Sequence, residues 1–144
     1  MSGNRPENRV KQLRAFWEKV SSGLQGSSYI PGDHGRSFFN ETSSWLTTLF
    51  GIPGFFTPRF PPPSLAFPGT DAALSFYVTS PLRNTLDELI DFDILNSGSM
   101  RMSAGAVNIK SGNFKFFDTR TDRLNADHIM ASGALPPGFP PVVI

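Results

Sequence analysis

The chain has 144 residues, enough for one ordinary domain, and 13 Lys and Arg against 12 Asp and Glu leave a formal charge of +1. That balance gives no basic field to attract nucleic acid, and the absence of cysteine excludes a disulfide framework, a thiolate metal site and a cysteine nucleophile. Hydrophobic residues make up 39 % and charged residues 17 %; 13 Gly and 13 Pro restrict long regular elements, so 14 Phe are expected to build much of the core.

The N-terminus, Met1 to Pro6, is polar and lacks the apolar core of a signal peptide. No run approaches the roughly 18 apolar residues of a membrane span. A cytoplasmic location is therefore expected, with peripheral membrane contact left open. Asn40-Glu41-Thr42 fits a glycosylation sequon, which matters only in a secreted protein.

Pro6 opens the first predicted helix, residues 6–22, because proline suits the first helical position. Val10, Leu13, Phe16, Trp17 and Val20 recur at helical period and are expected to cover a neighbour. Residues 23–79 form a flexible, then Phe- and Pro-rich, lid-like region. Ser and Gly dominate as far as Ser44, and a short helix is expected from Ser44 to Phe50. From Gly51 to Pro68, six prolines exclude helix and central strand, since proline lacks the donor both require. Phe55, Phe56, Phe60 and Phe67 lie in this extended flap and are candidates for lipid contact.

Residues 80–144 read as helix, hairpin and a Pro-rich loop. Ser80-Pro81 caps and opens a helix whose buried stripe is Leu82, Leu86, Leu89 and Ile90, ending before the Asn96-Ser97-Gly98 turn. From Met100 the period becomes two. Met102, Ala104, Ala106 and Asn108 face one way; Ser103, Gly105, Val107 and Ile109 face the other. Small residues on both faces suit a strand packed between layers. Ser111-Gly112-Asn113 turns the chain into a second strand bearing Phe114 and Phe116, so 102–118 is a predicted hairpin. Asn125 caps a short helix, with Asp127 in its first turn. Val142-Val143-Ile144 looks like the start of a strand.

Few residues carry chemistry. No Ser sits in Gly-x-Ser-x-Gly and no Gly-Gly or Asp-Gly pair occurs, so neither a nucleophile elbow nor a Gly-rich oxyanion loop is visible. His128 and Ser132 have the spacing of a base and nucleophile on one helix face, though capping explains both more simply. Asp33-His34 falls short of the three or four convergent ligands of a metal site. Asp87, Glu88, Asp91 and Asp93 match no calcium loop and read as a solvated face. No cofactor is expected.

The order of motifs resembles the patatin-like phospholipase family of bacteria. Arg9 to Trp17 looks like the helix that follows that family's nucleophile elbow. Gly54-Phe55-Phe56-Thr57-Pro58-Arg59, Ser75-Phe76-Tyr77, Pro81 to Leu86 and Asp91-Phe92-Asp93 resemble its lid-like region. Ala104 to Ile109 with Ser111 to Phe114 is similar to a central strand and its hairpin. The most specific match is Met130-Ala131-Ser132-Gly133-Ala134-Leu135-Pro136-Pro137-Gly138-Phe139-Pro140. The resemblance implies a partial three-layer α/β/α domain from a lipid acyl hydrolase, acting on lipid or acyl-ester substrates through a Ser-Asp dyad. Neither dyad member nor the oxyanion loop matches a residue here, so the chain is expected to be an interior, inactive piece. Ser132, Gly133, Pro136 and Phe139 would border the active site. The alternative is a non-catalytic lipid- or protein-binding module built on the Phe-rich segment.

Overall fold

In a computed structural model, which describes residues 2–21 and 45–144, Pro6 opens a 3-10 turn (Pro6–Asn8) that runs into helix α1 (Arg9–Val20). The Asp33-His34 pair and the sequon at Asn40 lie outside the described residues. Residues 45–50 are helical, as the sequence predicts, and the Phe/Pro-rich stretch after them is mostly irregular. It forms one pairing of two residues. Strand β1 (Thr57–Pro58) lies antiparallel to β2 (Tyr77–Val78), with Thr57 opposite Val78 and Pro58 opposite Tyr77. Proline is tolerated in so short a strand because its missing donor faces away from a ladder.

Helix α2 (Ser80–Leu89) starts one residue after Thr79, with Pro81 in its first turn, and buries Thr85, Leu86 and Leu89. Leu82 and Ile90 of the predicted stripe are half-buried. The helix does not run on to Asn96. Ile90 is extended, and Asp91 accepts from the backbone N–H groups of Asp93 and Ile94 to cap a separate helix, α3 (Phe92–Asn96). The N-terminal segment explains the break. Asp91 N–H donates to the Gly3 carbonyl at 2.8 Å, and the Asn4 side chain donates to the Leu89 carbonyl at 2.9 Å. Gly3 is buried so close to Ile90 that a Cβ would lie 2.5 Å from its methyl carbon. A residue with a side chain does not fit there.

Strands β3 (Ser103–Val107) and β4 (Phe114–Asp118) form the predicted hairpin, with Ala104 opposite Phe117, Gly105 opposite Phe116 and Val107 opposite Phe114. Helix α4 (Ala126–Ser132) follows and packs on β3 and on α2, while α1 rests on α2. The architecture is thus mixed helix and strand, with two small antiparallel sheets.

The core sits beneath the inner face of the hairpin. Leu95, Phe117 and Leu124 are its buried centre, with Phe92, Met102 and Ala106 packed around them. Asn96 ties two of its walls together. Its side-chain NH2 donates to the carbonyls of Phe92 and Leu124, and its oxygen accepts from Leu124 N–H at 2.8 Å. Those bonds satisfy a polar side chain next to the apolar centre.

Four further expectations change. Phenylalanine does not dominate the core: Phe56 and Phe117 are its buried examples, beside Leu86, Leu89, Leu95, Leu124, Ala104 and Ala126. The α1 stripe is not covered, since Val10, Leu13 and Trp17 are exposed and only Phe16 and Val20 are partly buried. The helix meets the rest of the protein through its C-terminal end, where Gly54 lies against the Lys19 carbonyl and Lys19 pairs with Glu88. Strand β3 is covered on one face only; Ser103, Gly105 and Val107 are exposed. Residues 142–144 form no strand, having no partner ladder among the described residues.

Candidate functional site

The Pro-rich motif begins at the end of α4. Asn125 caps that helix by accepting from Asp127 and His128 N–H, while His128 Nδ1 returns the contact by accepting from Asn125 N–H at 3.2 Å. The reciprocal pattern is a capping box with His in place of the usual Glu or Gln. The His128 ring also packs edge-on against Phe117, 4.6 Å between centroids, and Asp127 pairs with Arg83 of α2. Helix α4 is therefore fixed at its start from three directions.

At its other end, Ser132 Oγ donates to the Ile129 carbonyl at 2.7 Å, and Gly133 N–H donates to Met130. The chain then turns out through Leu135 and Pro136, both exposed, and closes a loop with Phe139 N–H donating to the Leu135 carbonyl at 3.0 Å. Two further bonds hold this loop to the start of β2 and the residue before it: Phe76 N–H donates to the Pro137 carbonyl at 3.0 Å, and Tyr77 N–H donates to the Gly138 carbonyl at 3.1 Å.

Phe139 is the anchor. Its ring lies 5.4 Å from Phe55, 5.3 Å from Phe56 and 6.0 Å from Tyr77, and Phe56 and Tyr77 meet edge-on at 4.7 Å. Such tilted and edge-to-face separations are those of attractive aromatic pairs. The loop and the Phe-rich segment, some 80 residues apart by number (55 to 139), thus share one aromatic cluster. Beside it, Arg59 Nε and Nη2 donate to the carbonyl and hydroxyl of Ser75, which is buried and whose own hydroxyl donates a hydrogen bond to the Tyr77 carbonyl at 2.9 Å. On the other side, Thr85 Oγ1 donates to the Gly54 carbonyl at 2.8 Å, joining the segment to α2. A Cβ on Gly54 would stand 2.4 Å from the Lys19 carbonyl oxygen, so only glycine permits this approach.

The predicted residues divide accordingly. Of the loop candidates, Ser132, Gly133 and Pro136 are exposed and Phe139 is packed. Of the four Phe proposed for lipid contact, Phe60 is 95 % and Phe67 83 % exposed, whereas Phe56 is buried and Phe55 half-buried in the cluster. Phe56 is not available to a lipid. Arg59, Ser75 and Tyr77 brace this cluster and are not among the predicted site residues. One signal was present: Arg59 is a lone cation in an apolar, proline-rich run, where a charge needs a fixed partner.

The remaining chemistry is structural. His128 and Ser132 make no contact as base and nucleophile; each is bonded to its own helix end. In the acidic group, Glu88 pairs with Lys19, Asp91 is a cap and Asp93 pairs with Arg123. No group of carboxylates and histidines fit to hold a metal occurs among the described residues. Asp118, at the base of the hairpin, accepts from Ser103 Oγ at 2.5 Å, from Arg120 N–H at 3.0 Å and from Arg101. The Ser103 hydroxyl first, then the Arg120 amide and the Arg101 guanidinium, hold its carboxyl well below the usual range, at about 2. Asp122 is lowered too, chiefly by the Asp118 N–H it accepts.

A cleft of about 610 Å³ lies elsewhere, between α1 and α2, with Lys19, Ser21, Pro53, Ser80, Asn84 and Glu88 among its lining residues. It lies on the α1 side of Gly54 and does not include the Pro-rich loop. Among the described residues no helix is long and apolar enough to cross a membrane. Neither a family model, nor a curated protein, nor a solved structure matches this chain.

Proposed function

We propose that this chain is a supporting part of a patatin-like lipid acyl hydrolase, in a three-layer α/β/α domain, and that Ser132 to Pro140 borders the site where an ester is cleaved. The observation that carries the reading is the aromatic cluster around Phe139. It packs the Pro-rich loop against the Phe-rich segment, so the two stretches that the reading assigns to one site, 84 residues apart by number (55 to 139), are neighbours in space. The order of the motifs along the chain supports the same reading. Acyl transfer also needs a nucleophile, a base and preorganised donors within hydrogen-bond reach. Ser132 and His128 are spent on helix ends, so the dyad and oxyanion loop belong to sequence beyond this chain.

The flanking DNA tests this. A Gly-x-Ser-x-Gly elbow and a Gly-rich loop are expected upstream, and an Asp-Gly pair downstream; absence of both the elbow and the Asp-Gly pair overturns the proposal. The purified chain should hydrolyse no short-chain nitrophenyl ester above buffer, and hydrolysis abolished by Ser132→Ala would place the nucleophile here instead.

A second reading rests on a separate observation, the exposure of Phe60 and Phe67. Exposed aromatic side chains in one segment favour a lipid surface. Co-sedimentation with liposomes should then fall on Phe60→Ser and Phe67→Ser; binding that both changes leave intact removes it.

A further inference from the structure

Among the described residues, the outer edge of β3 has no partner strand. Thr119 N–H donates to the Met102 carbonyl at 3.0 Å, and Asn108 N–H donates to the Asn113 carbonyl at 2.9 Å. With the register of the hairpin, these bonds assign the even-numbered residues of β3 to the ladder with β4. In an antiparallel pair the alternate residues turn their backbone groups the other way. Ser103, Gly105 and Val107 therefore present their N–H and C=O groups outward, and among the described residues no strand pairs with them. Helix α4 packs on β3, but the strand carries no blunting feature of its own. Ser103-Ala104-Gly105-Ala106-Val107 contains no charge and no proline, and the hairpin register runs through it without a bulge.

We propose that this edge pairs with the same edge of a second copy of the chain, antiparallel about a two-fold axis at Gly105. The pattern is self-complementary. Gly105 meets Gly105 of the second copy and Ser103 meets Val107, so every outward group finds a partner, roughly six backbone hydrogen bonds in all. The side chains select this register. Phe116 lies across Gly105, its ring atoms 3.1 and 3.3 Å from where a Cβ would stand, and it stacks on Phe114 at 6.3 Å. The Phe116 ring therefore sits over β3 itself. Adjacent strands are about 4.8 Å apart, so the two Phe116 rings come within aromatic contact over the paired glycines. Two-thirds of Phe116 is otherwise open to solvent (67 % exposed). A lipid surface would cover the ring but leave the outward amide and carbonyl groups unpaired, which is why a strand is the better occupant. The hydrolase reading, in which β3 is a central strand, would fill this edge from the same domain, so the dimer is proposed for this chain by itself and competes with that reading.

Sedimentation velocity of the purified chain across a wide concentration range should show a monomer–dimer equilibrium. Gly105→Pro removes an outward donor without touching the β4 ladder and should weaken association at least about tenfold. Val107→Lys, at an exposed edge position, should act the same way and decides the matter if Gly105→Pro fails to fold. The chain has no cysteine, so Gly105→Cys introduces a single thiol. Two such residues at the axis would have Cα atoms about 5.5 Å apart in a hydrogen-bonded pair, a separation that a short bis-maleimide spans. Gly105→Cys should cross-link with that reagent, and Ser111→Cys at the hairpin tip should not. A chain that stays monomeric throughout overturns the proposal. So does a dimer that survives the folded edge variants, or equal cross-linking of the two cysteine variants.

Discussion

Asp118 does several jobs with one carboxylate. It ties Ser103 and Arg101 on β3's side of the hairpin to the Arg120 turn, and its own N–H is held by Asp122. Its carboxyl is held at about 2 against an ordinary 3.8, so the folded state favours the charged form. The sign follows from linkage. The stabilisation is fully present above the unfolded value and is lost as pH falls from about 4 through about 2. Urea unfolding of the wild type at a series of acid pH values should show stability declining through that window. Asp118→Asn should flatten the decline, and an unchanged slope would show that the carboxylate does not govern the acid limb. Position alone did not reveal this residue. A sequence gives no sign that Ser103, fifteen residues earlier, points at Asp118 until the hairpin register is known.

At the scale of elements, the loop after α4 is stabilised from outside itself. It has one internal closing bond, from Phe139 to Leu135, but two bonds to Phe76 and Tyr77 and three aromatic neighbours. Phe139 is the side chain that links them. Truncating buried Phe typically costs about 3–5 kcal/mol, and half-burial here reduces the expected cost of Phe139→Ala to about 2 kcal/mol. Chemical denaturation would measure it. A loss below about 0.5 kcal/mol, the range of ordinary surface substitutions, would show that the loop is held by its backbone bonds alone. The helices differ in how much of this was legible. The capping residues Asn125 and Asp127 and the start of α2 at Ser80-Pro81 follow from local chemistry, which acts within one turn. The break between α2 and α3 does not. It depends on Gly3 and Asn4, nearly 90 residues away, reaching Leu89 and Asp91.

For the whole molecule, the sequence by itself determined the periods. The helical stripe of α1, the two-residue alternation of β3 and the hairpin turn at Ser111 to Asn113 all follow from spacing, because each backbone geometry fixes which side chains share a face. It also determined that the six prolines after Gly51 would prevent long elements. Only the tertiary structure decided which faces are covered. Val10, Leu13 and Trp17 form a stripe that remains open, and Ser103, Gly105 and Val107 form a strand face and edge that remain open, although both read as buried. Periodicity records that a face is apolar; whether another element reaches it depends on contacts distant in sequence. The same reason separates Phe56 and Phe139, which find each other and Tyr77, from Phe60 and Phe67, which find no such cluster.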